Sequence, residues 1–271
     1  MKTIPDFQKR KAAGQPITMA TCYDAATAKI LNGTSVDSIL VGDSCAMVVH
    51  GFDSTVHATV DMLATHTASV RRGAPDKVIV ADMPFLSYRK GLVESTEAAA
   101  KLMRAGANAI KIERCRGNLE LIQSLVEAGV PVMGHLGLTP QAVNEFGGFK
   151  IQAKTDQAAE TLIREAKELE LAGCFSIVLE CVPAHVAEET TKALKIPTIG
   201  IGCGPSTSGQ VLVINDLLGM DSDFHPKFAR RYANLSVVIA DSVEAYCEDT
   251  RSRSFPAKGE YTETRRELPA R

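Results

Sequence analysis

Short apolar runs that stop at a polar side chain recur along this sequence and constrain its fold. They are SILVGDS, VIVADMP, AIKIE, PVMGH, SIVLE and PTIGIGCG. A β-branched run of this length is typical of a strand buried on both faces, as in a parallel sheet. Because α/β proteins place their reactive groups at the carboxyl ends of such strands, the series predicts one pocket built from several strand ends.

Segments of helical periodicity separate the runs. Strands are predicted at 17–21, 38–41, 78–81, 109–112, 131–134, 176–179, 198–201 and 211–214. Helices are predicted at 25–31, 60–71, 95–105, 119–127, 156–171 and 184–194. Eight strands alternating with helices are typical of a (β/α)₈ TIM barrel, an α/β fold with its active site at the carboxyl ends of the strands. We expect one barrel domain over 1–249, with an N-terminal lead-in, and a charged tail over 250–271 that is mobile or straps a neighbouring subunit.

Composition narrows the class of partner. The chain has 271 residues, 45% of them hydrophobic, which suffices for one large core. A formal charge of −2 provides no basic field for nucleic acid or anionic lipid, so we expect a small-molecule partner. The N-terminus lacks the apolar core of a signal peptide, and the seven cysteines show no metal or disulfide spacing. Cytoplasmic location and no membrane association are therefore expected.

Glycines and long loops mark the edges of the predicted units. Gly106, Gly129 and Gly173 each follow a helical pattern and precede a strand, as a residue in the left-handed conformation at a helix end should. The connections 45–59 and 136–155 are long and leave carboxyl ends of strands. We expect these two loops to cover the site.

Three carboxylates end neighbouring predicted strands. Asp43, Asp82 and Glu113 can converge on one point, and hard oxygen ligands without cysteine favour Mg²⁺ over zinc. Lys111 precedes Glu113 by two residues, so both project to the same face of a strand, where the lysine suits an anionic substrate. Each acid could instead cap the helix that follows it, and that alternative stays open.

Two further polar residues end the next strands. Glu180, at the end of the sixth strand, suits a general base facing a metal-held substrate, although a structural ion pair would also explain it. His135, at the end of the fifth strand, could donate a hydrogen bond to an oxyanion or be structural. The loop 200–209 is glycine-rich but lacks lysine and phosphate-motif spacing, so it is a weak phosphate signal.

A set of longer motifs runs through the chain: TCYD at 21–24, ILVGDS at 39–44, ADMPF at 81–85, MRAGANAIKIE at 103–113, GHLGLTPQAVNEFGGFK at 134–150, VLECVP at 178–183, IPTIGIGCG at 196–204 and HPKFAR at 225–230. Through these motifs the chain resembles the ketopantoate hydroxymethyltransferase family over about residues 17–247. GHLGLTPQ with FGG is specific to that family. GDS with AD is shared more widely with barrels of the phosphoenolpyruvate mutase and isocitrate lyase type.

The resemblance implies transfer of a hydroxymethyl group from 5,10-methylenetetrahydrofolate to 3-methyl-2-oxobutanoate, giving 2-dehydropantoate for pantothenate and coenzyme A biosynthesis by a Mg²⁺-enolate mechanism. Asp43, Asp82 and Glu113 match the Mg²⁺ positions. Asp43, Ser44, Asp82 and Lys111 match the substrate-binding positions, and Glu180 matches the proton acceptor. The resemblance also implies a homo-oligomer, a decamer of pentamers.

The sequence departs from the family pattern at three places. Arg114-Cys115 replaces a pair of glycines, Cys203 replaces the alanine of a Gly-Ala-Gly loop, and Ser208 replaces an aspartate.

Two alternative functions stay open. A Mg²⁺-dependent carbon–carbon lyase or mutase on another 2-oxoacid would use a cysteine after the fourth strand, for which Cys115 is the candidate. A non-catalytic barrel binding a phosphate ligand would use the loop 200–209 and need no metal.

Overall fold

The barrel predicted from the sequence is present. A computed structural model describes residues 2–221 and 226–262. Its eight strands pair in chain order, all parallel, and close through β1 and β8. They are β1 Ile17–Thr21, β2 Ser38–Val41, β3 Val78–Asp82, β4 Ala109–Glu113, β5 Val132–Gly137, β6 Ser176–Glu180, β7 Thr198–Ile201 and β8 Gly209–Leu212.

The six predicted helices all form, and further helices lie outside the predicted set. The helices are α1 Pro5–Ala12, α2 Ala25–Asn32, α3 Cys45–Val48, α4 Val60–Gly73, α5 Leu92–Arg104, α6 Leu119–Glu127, α7 Val143–Phe146, α8 Asp156–Leu171, α9 Ala184–Ala193, α10 Ile214–Leu218 and α11 Leu235–Ser252. The predicted long loops contain α3 and α7 together with single 3₁₀ turns at Thr55–His57 and Pro140–Ala142. Gly106, Gly129 and Gly173 have positive φ, so their predicted role at helix ends is confirmed.

The last strand was predicted two residues too late. β8 begins at Gly209, and Ile214 instead begins α10, with its N–H donated to the Thr21 hydroxyl at 2.9 Å. A Cβ at Gly209 would lie 2.4 Å from the Ile17 carbonyl oxygen, so this position tolerates only glycine. The glycine that the sequence pattern assigned to a loop is therefore the point where β8 closes the barrel against β1.

The barrel interior is filled by alternate residues of the strands. Val78 and Val80 of β3, Met133 of β5 and Val178 of β6 belong to one buried apolar cluster. Phe7 of α1 joins this cluster and meets Phe175 edge to face, with ring centroids 5.0 Å apart. Apolar side chains fill the barrel interior up to the last residues of the strands. Polar residues that continue the same inward alternation therefore lie at the carboxyl ends.

The chain divides into two compact units, Met1–Ile214 and Asn215–Arg271. The first unit contains every strand. In the second, α11 crosses the predicted boundary between residues 249 and 250 and continues to Ser252. Residues 263–271 of the predicted tail, and His225 of the HPKFAR motif, lie outside the described residues. Within those residues, no helix has the length and apolar character needed to cross a membrane.

Candidate functional site

The inward alternation of four neighbouring strands brings the predicted site residues together. In β3 it runs from Val80 to Asp82, and in β4 it runs from Ala109 through Lys111 to Glu113. The parallel register pairs Asp82 with Lys111, Glu113 with His135, and Gly137 with Glu180. The first two pairs place polar side chains of adjacent strands side by side, and the third leaves the space beside Glu180 free of a side chain.

Asp82 is linked to both of its neighbouring strands. Its Oδ2 accepts the backbone N–H of Asp43 at 3.0 Å, and its Oδ1 lies 3.0 Å from Lys111 Nζ. Asp43, Asp82, Lys111 and Glu113 are all at most 4% exposed. In the described part of the chain, Lys111 is the only buried lysine or arginine, so three buried carboxyl groups share a single cation.

Burial and mutual repulsion shift the pKa values of the groups in this cluster. Burial, reinforced by Asp82 and Glu113, raises the pKa of Asp43 well above its ordinary value. Burial also raises the pKa of Glu113 to about 7, against the opposing effect of Lys111. Burial alone would lower the pKa of Lys111, but the three carboxylates together raise it. The cluster thus carries excess negative charge when its carboxyls ionise.

His135 lies between the acid cluster and Glu180. Its Nδ1 is 3.1 Å from Lys111 Nζ, and its Nε2 is 3.3 Å from Glu180 Oε2. A lysine ammonium can only donate, so Nδ1 accepts and the proton of the neutral ring belongs on Nε2, facing Glu180. Burial and the charge of Lys111 keep the pKa of His135 below its ordinary value, which agrees with a neutral ring. The side chain of Glu180 is 14% exposed, so it reaches solvent more than the residues of the acid cluster do.

Two glycines permit this close assembly. A Cβ at Gly42 would lie 2.7 Å from the Ser44 hydroxyl, which makes a 2.8 Å hydrogen bond with Tyr23. Gly137 has φ +90°, and a Cβ there would lie 2.3 Å from the Glu180 carbonyl oxygen. A side chain at Gly42 would push the Ser44 hydroxyl away, and a side chain at Gly137 would displace the backbone of Glu180.

Gln141 is the central residue that the sequence analysis missed. Its side-chain amide donates to Asp43 Oδ2 at 2.7 Å, its backbone N–H donates to Glu113 Oε2 at 3.2 Å, and Tyr88 donates to its Oε1 at 2.7 Å. Gln141 lies in a loop, where no periodicity marks it. Its membership of the GHLGLTPQ motif was the signal that could have identified it.

The cluster is compatible with a divalent cation that takes only one or two of its ligands from the protein. Among the described residues, no three His, Cys, Asp or Glu side chains lie close enough to enclose a metal ion by themselves. However, Glu113 Oε1 is buried without a hydrogen bond from any of these residues, while Asp82 Oδ1 faces the Lys111 ammonium at 3.0 Å. Mg²⁺ retains several waters and needs only one or two protein carboxylates beside substrate oxygens, so the residues present fit this ion.

The loop 200–209 satisfies its own polar groups. Gln210 Nε2 donates to the Gly204 carbonyl at 2.9 Å, and the Thr207 hydroxyl donates to the Gly209 carbonyl at 2.7 Å. A Cβ at Gly204 would lie 2.7 Å from the Ala184 Cβ. The glycines of this loop therefore serve internal packing, and these contacts give no support to a phosphate site.

Comparison with known proteins agrees with the motifs. The family model described as ketopantoate hydroxymethyltransferase matches residues 1–258. A 3-methyl-2-oxobutanoate hydroxymethyltransferase of Francisella tularensis subsp. tularensis (strain WY96-3418) is 50% identical over 95% of this chain and 97% of its own. One of the same name from Bdellovibrio bacteriovorus is 49% identical over 96% of this chain and 99% of its own.

Solved structures with low sequence identity share the fold. Phosphonopyruvate hydrolase in complex with oxalate and Mg²⁺ has a TM-score of 0.62 at 12% identity, over 96% of this chain and 93% of its own. The 2,3-dimethylmalate lyase, described as a member of the PEP mutase/isocitrate lyase superfamily, has a TM-score of 0.60 at 14% identity, over 97% and 92%. At such identities the likeness extends to the barrel fold alone.

Proposed function

The chain belongs to the ketopantoate hydroxymethyltransferase family and is an enzyme, and on that premise we propose that 5,10-methylenetetrahydrofolate is its one-carbon donor and Mg²⁺ its cofactor. The acceptor is 3-methyl-2-oxobutanoate, and water supplies the hydroxyl of the product 2-dehydropantoate. The proposal places the enzyme in pantothenate and coenzyme A biosynthesis.

One observation carries the proposal: a buried cluster of three carboxyls with a single lysine lies beside a histidine and a partly exposed glutamate at the carboxyl ends of the strands. A dense negative cluster attracts a divalent cation, while Lys111 adds a positive charge for the substrate carboxylate. Glu180 lies beyond His135, on the far side of the cluster from Asp82. A substrate held between the two ends would have metal contacts on one side and a base on the other.

Each residue then has a defined task. Asp43 and Asp82 would hold Mg²⁺, with Glu113 acting directly or through water. Lys111 and Ser44 would bind and orient the oxoacid. Bound Mg²⁺ would polarise the keto group and so acidify the hydrogen on carbon 3.

Glu180 would take that proton. His135 Nε2 lies 3.3 Å from Glu180 Oε2, so a neutral ring with its proton on Nε2 places a donor beside this carboxylate. Water would release the one-carbon unit as formaldehyde by breaking both bonds of the methylene carbon to nitrogen, and tetrahydrofolate would leave. The electron pair left on carbon 3 would then form the new bond to this carbon, and the resulting alkoxide would take the proton back from Glu180.

The lyase or mutase alternative lacks its reactive group. Cys115 is fully buried, and its thiol donates to Glu168 Oε2 at 3.3 Å. Burial, with the neighbouring Glu168, raises the pKa of Cys115 to about 12. A thiol held in that state is a poor acid or nucleophile at neutral pH.

The test is an assay of 2-dehydropantoate formation from the two substrates with and without Mg²⁺. Wild type should require the metal, and Asp82→Asn should lose turnover together with Mg²⁺ affinity measured by calorimetry. Asp61→Asn, an exposed acid on α4, is the matched control and should behave as wild type. Product formed equally well after chelation, or unchanged Mg²⁺ affinity in Asp82→Asn, would contradict the metal assignment.

The proposal extends to assembly and location. The family resemblance implies a homo-oligomer, and α11 exposes Val238, Val243 and Tyr246, each by more than half. All seven cysteines are free, as expected in the reducing cytoplasm. Light scattering of the purified chain should give a mass well above 29.0 kDa, and a monomer at micromolar concentration would contradict this part.

A further inference from the structure

Two cavities adjoin the acid cluster and share a wall. One, of about 520 Å³, lies beyond the ends of β4 and β5 and against the first turns of α8. The other, of about 540 Å³, lies between the loop after β3 and the segment of α7, and it reaches Glu113 and Gln141. Both are within the size range of small-molecule sites. Arg89, Arg114 and Glu145 line both cavities.

Backbone strain concentrates on these walls. Five described residues other than glycine have positive φ, and three of them, Leu86, Arg114 and Ala153, line a cavity. A fourth, Cys181, directly follows Glu180. Such conformations cost on the order of 1 kcal/mol or more each and persist mainly where function needs them. This distribution marks the cavity walls as part of a working site.

The two cavities differ in chemistry. The first carries three guanidinium groups, of Arg89, Arg114 and Arg116, against two carboxyls, of Glu145 and Glu165. Arg114 is committed to Glu145 at 2.7 Å, whereas neither Arg89 nor Arg116 has a carboxylate within ion-pairing distance in the described chain. The N-terminus of α8, capped by Thr155, adds partial positive charge.

The second cavity has fewer charged side chains on its wall than the first and is more apolar. Phe85 and Leu86 on its wall are 39% and 49% exposed, which is unusual for large apolar side chains in a concave site. Tyr88 and Asn144 complete the wall with polar groups. These features suit a planar heteroaromatic ring.

We propose, resting on the function proposed above, that the two cavities together bind the folate co-substrate, with the pterin ring in the second cavity and the glutamyl carboxylates at Arg89 and Arg116 in the first. Folate carries its one-carbon unit at the junction of the pterin and the p-aminobenzoyl ring. This orientation brings that junction to the wall shared by the cavities, next to Glu113 and the oxoacid. Arg116 is therefore a specificity residue for the glutamyl part of the co-substrate.

The test compares tetrahydrofolate with tetrahydropteroate, which lacks the glutamate, as ligands of the full chain in the presence of Mg²⁺ and the oxoacid. Charge-assisted hydrogen bonds to carboxylate should make wild type prefer tetrahydrofolate by about tenfold or more. Arg116→Gln and Arg89→Gln should each reduce that preference severalfold, with oxoacid affinity unchanged. Arg164→Gln is the matched control, because Arg164 lies on α8 and is paired with Glu168 at 3.9 Å outside the cavity lining.

Equal affinity of wild type for the two ligands would overturn the inference, as would a preference unaffected in both cavity variants. The proposed function is tested separately by turnover. Product formation without a glutamate preference would remove this site and leave the reaction intact. A glutamate preference without turnover would keep the folate site and remove the reaction.

Discussion

The side-chain amide of Gln141 donates a hydrogen bond of 2.7 Å to Asp43 Oδ2, and this bond ties the loop after β5 to the end of β2. The same residue reaches Glu113 through its backbone N–H at 3.2 Å. Both acceptors are buried carboxyls whose charges repel. Gln141 therefore supplies neutral donors where a second cation would compete with a bound metal.

Replacing Gln141 by leucine should destabilise the fold and weaken Mg²⁺ binding. The change keeps a similar volume but leaves Asp43 and the Tyr88 hydroxyl without their buried partner, a loss of about 1 to 3 kcal/mol in the free energy of unfolding. Urea denaturation and calorimetry with Mg²⁺ measure the two effects. Gln123→Leu, an exposed position on α6, is the control. A variant with wild-type stability and Mg²⁺ affinity would show that Gln141 is a bystander.

Lys111→Met should destabilise the metal-free protein by about 3 to 5 kcal/mol, because it leaves three buried carboxyls without their cation. Adding Asp82→Asn to this variant should recover part of the loss, since one of the repelling charges disappears. Lys101→Met, which breaks an exposed pair with Asp61, should cost less than about 1 kcal/mol. Urea denaturation provides the comparison. No recovery in the double variant would mean that charge balance does not explain the role of Lys111.

Arg114→Gly should be more stable than Arg114→Ala by about 1 kcal/mol. Arg114 has φ +68°, a conformation that glycine adopts without steric cost and alanine does not. Both variants lose the same contacts to Glu145 and Phe146, so the backbone term remains as their difference. At Arg116, which is not among the residues of positive φ, the order should reverse. The same order at both positions in urea denaturation would contradict the strain assigned to Arg114.

Strand ends could be predicted because two independent signals coincide there. The apolar run marks β3 and β4, and the period of two then directs Asp82, Lys111 and Glu113 inward, as the structure has them. The start of β8 could not be predicted in this way, because Gly209 is selected by the nearby Ile17 carbonyl and not by its own neighbours in sequence. Gln141 was missed for the same reason, since its partners Asp43, Tyr88 and Glu113 all lie far from it in the sequence.

The Arg114 departure illustrates a further limit. A pair of glycines at this position predicts a left-handed turn, and its replacement by Arg114-Cys115 carries no sequence signal that the turn survives. The structure keeps the turn, and Arg114 gains an ion pair with Glu145 and a cation–π contact with Phe146, at 5.5 Å from the ring centroid. These two tertiary contacts thus offset the conformational cost of a positive φ at Arg114, and that cost is the only part of the balance visible in the local sequence.

Stability should fall as the pH rises above about 9, in part through Cys174. Burial raises the pKa of this thiol from 9.0 to about 12. Its contribution to the free energy of unfolding is therefore complete below the pKa in the unfolded chain and is lost as the pH rises towards the pKa in the folded protein. In that window one such group changes the free energy of unfolding by about 1.4 kcal/mol per pH unit. Cys174→Ala should show a shallower decline than wild type between pH 9 and pH 11 in urea denaturation. An equal decline in wild type and Cys174→Ala would contradict this contribution.

The most direct test of the proposed mechanism is exchange of the carbon 3 hydrogen of 3-methyl-2-oxobutanoate with deuterated solvent, measured by NMR with Mg²⁺ and without folate. Glu180→Gln keeps the shape of the side chain and removes its basicity, so oxoacid and Mg²⁺ should still bind while exchange slows by about 10²-fold or more. Glu188→Gln, at a partly exposed glutamate on α9 that pairs with Lys192, should exchange as wild type does. Exchange at the wild-type rate in Glu180→Gln would contradict the assignment of Glu180 as the base.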